Sequence, residues 1–137
     1  MVEIKYKGIK MSEKNNIGTV GWIDLTVPDA TAIRDFYTKV VGWDSAPVSM
    51  GEYDDFCMIP QTSEDPVCGI CYAKGTNKEI PPQWMIYIVV ADLEKSITDV
   101  KSLGGECLTE IKTISGQGTY CIIKDPAGAI SALYQEE

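Results

Sequence analysis

Cys68 and Cys71 form the sequence's one CxxC spacing. Two thiols so placed can hold zinc or exchange a disulfide. Both chemistries ask for more than this chain supplies. Zinc needs four donors, yet no second CxxC follows and there is no histidine. The segment reads as a strand, where positions three apart point to opposite faces. The five cysteines, Cys57, Cys68, Cys71, Cys107 and Cys121, are odd in number and scattered. They read as buried reduced thiols rather than a disulfide framework. Nucleophilic catalysis lacks a histidine base and a G-x-S-x-G elbow. The glycines of Ser115-Gly-Gln-Gly-Thr-Tyr120 suit a hairpin turn, and no Lys-Ser/Thr follows them to make a phosphate cradle.

Asp24 is the sharper residue. Alternation places it on one strand face with Trp22 and Thr26. A carboxylate on an inward face is costly unless paired or hydrogen-bonded. Either a lysine or arginine pairs with it structurally, or it faces a wet site as a ligand contact or general base. The residues alone leave both readings open.

The elements that must position these groups are legible from caps and periodicity. Residues 19–27 read as a strand, rich in β-branched and aromatic side chains. Asp29 offers a helix N-cap. Ile33, Phe36, Tyr37, Val40 and Val41 follow at helical spacing as one apolar face, and Gly42 stops the helix. Strands are expected around 56–59 and 67–73. A polar segment, 74–82, ends in Pro81-Pro82 and reads as a linker. The pattern then restarts. Residues 84–90 read as a strand and Asp92 as an N-cap. Leu93, Ile97, Val100 and Leu103 make a second helix face, and Gly104-Gly105 a stop. Strands are expected at 106–111, 119–123 and 129–134.

This is an internal repeat. Asp29 and Asp92 stand 63 residues apart, as do Gly42 and Gly105. Asp65-Pro66 and Asp125-Pro126 stand 60 apart, a register that pairs Ile70 with Ile130. The order is strand, helix and about three strands, twice over. One such unit leaves a sheet face bare, so two units are expected to cover each other.

Composition excludes several classes. The formal net charge is −8, from 12 basic and 20 acidic residues. Nucleic-acid binding needs a basic footprint, and no basic cluster is present. No apolar run approaches the roughly 20 residues that span a bilayer. The opening Met-Val-Glu-Ile-Lys lacks the apolar core of a signal peptide, so a cytoplasmic protein is expected. Val2, Ile4, Tyr6 and Ile9 permit an edge strand in the first 17 residues.

Three segments carry a family resemblance: GWIDLTVPDATAIRDFYTKVVGW (21–43), WMIYIVVADLEKSITDVKSLGG (84–105) and GTYCIIKDPAGAISALYQ (118–135). In order and spacing the chain resembles the vicinal-oxygen-chelate superfamily, the glyoxalase/bleomycin-resistance-like proteins. The resemblance implies an α+β fold of two βαβββ modules, with mixed curved sheets around a cleft and flanking helices. Residues 1–17 would be an N-terminal extension. Residues 18–136 would be a single domain built of modules 18–75 and 83–136.

Enzymes of that superfamily hold a divalent metal with four side chains, one from the first strand and one from the last strand of each module. Seven residues before each V-x-D aspartate stand Trp22 and Met85. Four residues after the D-P-x-G glycine stands Ala132, and the 60-residue register gives Tyr72 as its partner. None is a hard donor suited to a divalent ion. The expectation is therefore no metal and no cofactor. The expected wall of a small-molecule cleft is Trp22, Asp24, Tyr72, Met85, Tyr87 and Ala132, although an aromatic interior face reads equally as core. The leading function is a metal-free, ligand-binding protein. The alternative is a lyase, isomerase or dioxygenase using displaced ligands or Asp24 as acid/base. A small-molecule ligand and a homodimer are the expected partners, with neither nucleic acid nor membrane.

Overall fold

Val27-Pro28-Asp29 turns a strand into a helix, and Val90-Ala91-Asp92 does so again. In the computed structural model, which describes residues 16–137, Asp29 accepts a hydrogen bond from the Ala32 amide at 3.1 Å and Asp92 from the Lys95 amide at 3.1 Å. Each carboxylate satisfies an amide that the first helical turn leaves without an intrahelical partner. The chain divides into two units, Trp22–Trp84 and Met85–Glu137, with residues 16–21 grouped with the second. The expectations for Val2, Ile4, Tyr6 and Ile9 lie outside the described residues.

The first unit contains β1 (Val20–Val27), α1 (Ala30–Val41), β2 (Asp44–Ser49), β3 (Asp54–Ile59) and β4 (Cys68–Tyr72). Its strands run in the order β2-β3-β4-β1, with β4 parallel to β1 and the other pairs antiparallel. Leu25, Val27, Phe56, Met58, Cys68 and Ile70 form the core under α1, joined by Ala30 from the helix. Full burial of each large apolar side chain stabilises by about 1.5–3 kcal/mol. Ile33 and Tyr37 reach this core, but Phe36, Val40 and Val41 are 53%, 63% and 51% exposed. The single apolar helix face expected from the sequence is thus two faces, one buried and one open.

The second unit contains β5 (Trp84–Val89), α2 (Leu93–Ser102), β6 (Glu106–Cys107), β7 (Lys112–Ile114), β8 (Gly118–Lys124) and β9 (Ile130–Glu136). The order is β5-β9-β8-β6, with β7 also on β8 and β9 parallel to β5. Leu93, Cys121, Ile123 and Leu133 form the helix-side core, with Ile97 and Val100 packed on it. Leu103, expected on that face, is 75% exposed. Of the strand expected at 106–111 only β6 forms, and a separate β7 follows beyond it, both pairing β8. The left-handed backbone at the helix stop belongs to Gly104, at φ 92°. Gly105 serves close packing, since a Cβ there would meet Val100 Cγ1 at 2.9 Å. Among the described residues nine strands and two α-helices give the α+β class; the first unit follows the βαβββ order, and the second carries one further short strand after its helix.

The registers correct one expectation. Asp24 pairs with Gly69 across β1–β4, and Tyr87 pairs with Ala132 across β5–β9. The 63-residue offset therefore holds for the last strands too. The 60-residue offset of the Asp-Pro dipeptides belongs to the loops before β4 and β9, which differ in length.

Candidate functional site

The strands of each unit have a helix side and an opposite side, and alternation assigns every strand residue to one of them. In the first unit the opposite side carries Trp22, Asp24 and Thr26 from β1. Level with them in the register are Gly69 and Cys71 on β4 and Asp55 and Cys57 on β3. Trp22, Asp24, Thr26, Asp55, Cys57 and Cys71 are all buried. The Trp22 Nε1–H donates to Asp24 Oδ1 at 2.5 Å, tying the indole and carboxylate that the sequence placed on one face.

Asp55 is the residue that sequence reasoning missed. The strand there was expected around 56–59, which left Asp55 outside it. In the structure β3 begins at Asp54, which places Asp55 on the face of Cys57, at 1% exposure. Its Oδ1 accepts from the Tyr72 amide at 2.8 Å, while Oδ2 is buried without a hydrogen bond among the described residues. Burial pushes the Asp55 carboxyl above its ordinary range, opposed by the Tyr72 amide and reinforced by the Asp24 charge. Two buried carboxyl groups thus share one sheet face.

Tyr72 does not join them. It pairs with Val27, which faces α1, so the ring lies on the helix side. Its hydroxyl meets Thr31 Oγ1 at 2.5 Å, its ring packs edge-on against Tyr53 at 5.7 Å, and the Lys74 ammonium lies over it at 4.5 Å. Tyr72 lines a depression of about 480 Å³ on this side, with Thr31, Arg34, Tyr53 and Phe56. The misplacement follows directly from the 60-residue register. Cys68 and Cys71 do lie on opposite sides, Cys68 in the helix-side core and Cys71 against Val48 and Cys57. Burial pushes the Cys68 thiol up to about 12, with the Asp24 charge adding to it, so Cys68 is no ready nucleophile.

In the second unit the opposite side carries Met85, Tyr87 and Val89 from β5. Ala132 and Tyr134 of β9 and Tyr120 and Ile122 of β8 lie level with them. Met85, Tyr87 and Ala132, expected to share a face, do share it, and each is at most 1% exposed. Tyr87 and Tyr120 pack edge to face at 5.8 Å. Tyr134 donates its hydroxyl to the Gln117 carbonyl at 2.7 Å.

With the register corrected, the four positions at which the resemblance implies metal ligands hold Trp22, Gly69, Met85 and Ala132. The indole nitrogen is a donor only and already bonds Asp24. Glycine and alanine offer nothing, and a thioether is a soft ligand. These residues do not fit a divalent cation of the oxygen-chelating kind. Among the described residues no group of three or more His, Cys, Asp or Glu side chains is arranged to hold a metal ion.

Comparisons with known proteins bear on the family. The model of the Glyoxalase/Bleomycin resistance protein/Dioxygenase superfamily matches residues 19–130. CFP32, a candidate glyoxylase of Mycobacterium tuberculosis (strain CDC 1551 / Oshkosh), is 32% identical over 120 residues, covering 86% of this chain and 46% of that protein. The anthracycline biosynthesis protein DnrV of Streptomyces peucetius is 28% identical over 130 residues, covering 87% of this chain and 47% of that protein. The chain thus spans about half the length of the curated relatives it matches. A superfamily member from Vibrio splendidus 12B01 superposes with a TM-score of 0.53 at 13% identity, over 84% of this chain and 97% of that one. A methylmalonyl-CoA epimerase from Mycobacterium tuberculosis gives 0.52 at 14% identity, over 84% and 85%. The repeat, the capped helices and the matched span lead to one assignment: this chain belongs to the glyoxalase/bleomycin resistance protein/dioxygenase superfamily.

Proposed function

We propose that this chain binds a small molecule without a divalent metal, and that Trp22 and Asp24 contact it. The observation that carries this reading is the set Trp22, Gly69, Met85 and Ala132 at the four ligand positions. A ring beside a carboxylate supplies what an organic ligand needs in place of an ion: apolar contact area and one directional charge. The test is a thermal-shift screen of organic cations, neutral aromatics and acyl thioesters in the presence of a chelator. A ligand that stabilises native protein and loses this effect in Trp22→Ala supports the reading. Stabilisation that needs an added divalent ion would overturn it.

A second reading is favoured by Asp24 and Asp55 together. Two carboxyl groups share one face, Asp24 holding an indole N–H and Asp55 pushed towards its protonated form by burial, and a carboxyl held protonated can serve as a general acid. It supports a lyase or isomerase working by proton transfer. Turnover of a screened ligand, lost in Asp55→Asn with binding retained, is its test. We also propose self-association, supported by the open Phe36, Val40 and Val41 row on α1. A monomer mass in sedimentation at micromolar concentration would exclude it.

A further inference from the structure

The second unit holds a pair of cysteines outside the face described above. Cys107 ends β6 and stands opposite Ile123 of β8. Cys121 lies two residues before Ile123 on that strand, hence on the same side of the sheet. Both sit in the helix-side cluster of Leu93, Cys121, Ile123 and Leu133. They form a diagonal cross-strand pair, at the upper end of the separation a disulfide spans unless one strand shifts. Burial raises the Cys121 thiol, and Cys107 is near enough to raise it further.

The two thiols differ in access. Cys121 is fully buried, and its Sγ–H donates to the Thr109 carbonyl at 3.3 Å. Cys107 is half-buried and lines a depression of about 650 Å³ with Ile97, Lys101, Leu108 and Thr109. One thiol is therefore open to a small reagent, with the second buried on the neighbouring strand. β6 is only two residues long, so it can shift to meet the narrow geometry of a disulfide. Cys57, Cys68 and Cys71 are buried in the first unit.

We propose that Cys107 and Cys121 are a redox-active pair that a small disulfide entering this depression converts to an intramolecular bridge between β6 and β8. The Cys107 thiolate attacks one sulfur of the reagent, forming a mixed disulfide and expelling one thiol. The Cys121 thiolate then attacks the Cys107 sulfur, breaking the mixed bond and expelling the second thiol. Two protein thiols are oxidised, one external disulfide is reduced to two thiols, and both protons end on those thiols.

The test uses native protein treated with oxidised glutathione, followed by intact mass and peptide mapping. The wild type is expected to lose two hydrogens, keep no glutathione and yield a Cys107–Cys121 linked peptide that dithiothreitol cleaves. Cys121→Ser should keep one glutathione on Cys107, and Cys107→Ser should show neither product. A stable glutathione on wild-type Cys107, a bridge between any other pair, or a Cys107 that stays reduced would each overturn the proposal. The wild-type map decides the matter even if either variant folds poorly.

Discussion

On the side away from its helix, each unit presents corresponding strand positions, and the two sets have opposite chemistry. Across β1 and β5 the offset is 63, so Trp22 answers to Met85, Asp24 to Tyr87 and Thr26 to Val89. Gly69 and Cys71 answer to Ala132 and Tyr134 at the same offset. The β3–β4 and β8–β9 registers make Asp55 the counterpart of Tyr120. Tyr87 and Tyr120 touch edge to face, and the residues in their places are the two buried carboxyls, close enough for Asp24 to raise Asp55. The repeat thus spends one copy of a layout on packing and the other on charge. A fold fixes where side chains point, and the residue types then decide whether a face is core or site.

Truncating the packed copy should cost most. Tyr87→Ala removes a fully buried ring that packs on Tyr120, and should lose about 3–5 kcal/mol in urea unfolding. A loss under about 1 kcal/mol would mean that this face is not packed as a core. In the first unit the effect should appear in binding. Trp22→Ala should weaken a ligand found by screening about tenfold or more, and by more than Asp24→Asn does, because the ring supplies the contact area. The reverse order would make charge the main source of affinity and would fit a desolvated cation.

The carboxyl pair gives a smaller, pH-dependent signature. The ordinary value for Asp55 is 3.8, and burial raises it in the folded protein. Between 3.8 and that raised value the folded state keeps a proton that the unfolded state has shed, so this group's contribution to stability falls as pH rises through the window. Asp55→Asn retains an oxygen for the Tyr72 amide and should flatten the fall, leaving the variant more stable than wild type above the window. An unchanged pH profile would place Asp55 in a more solvated setting than the structure gives it. The smallest effect belongs to the open row on α1. Val40→Ser should move unfolding of the single chain by no more than about 0.5 kcal/mol while weakening self-association in sedimentation.

Much of this layout was legible in the sequence, because local signals carried it. Asp29 and Asp92 marked both helix starts, and their spacing gave the repeat that aligns β1 with β5. The shared face of Trp22 and Asp24 followed from alternation alone, but the indole as the carboxylate's hydrogen-bond partner did not, since a lysine, an arginine or a wet site was expected there. Tyr72 was misplaced because an Asp-Pro dipeptide in a loop was used to set a strand register, and loops absorb length differences that strands do not. A shift of three residues moves a side chain to the other face. Asp55 was hidden because the strand was placed around 56–59 from its apolar residues, and nothing in the sequence shows which partner strand buries an aspartate at its start. The open half of α1 was unreadable for a similar reason, since helical periodicity says which residues share a face and not whether anything covers it.

The most direct test of the account is elemental analysis of the purified protein after dialysis, read beside its ligand binding. With Trp22, Gly69, Met85 and Ala132 at the ligand positions, the account predicts only traces of zinc, nickel, iron, cobalt and manganese, and ligand stabilisation unchanged by a chelator. One firmly held divalent ion per chain, lost on changing Asp24 or Asp55 to alanine and needed for ligand stabilisation, would contradict it.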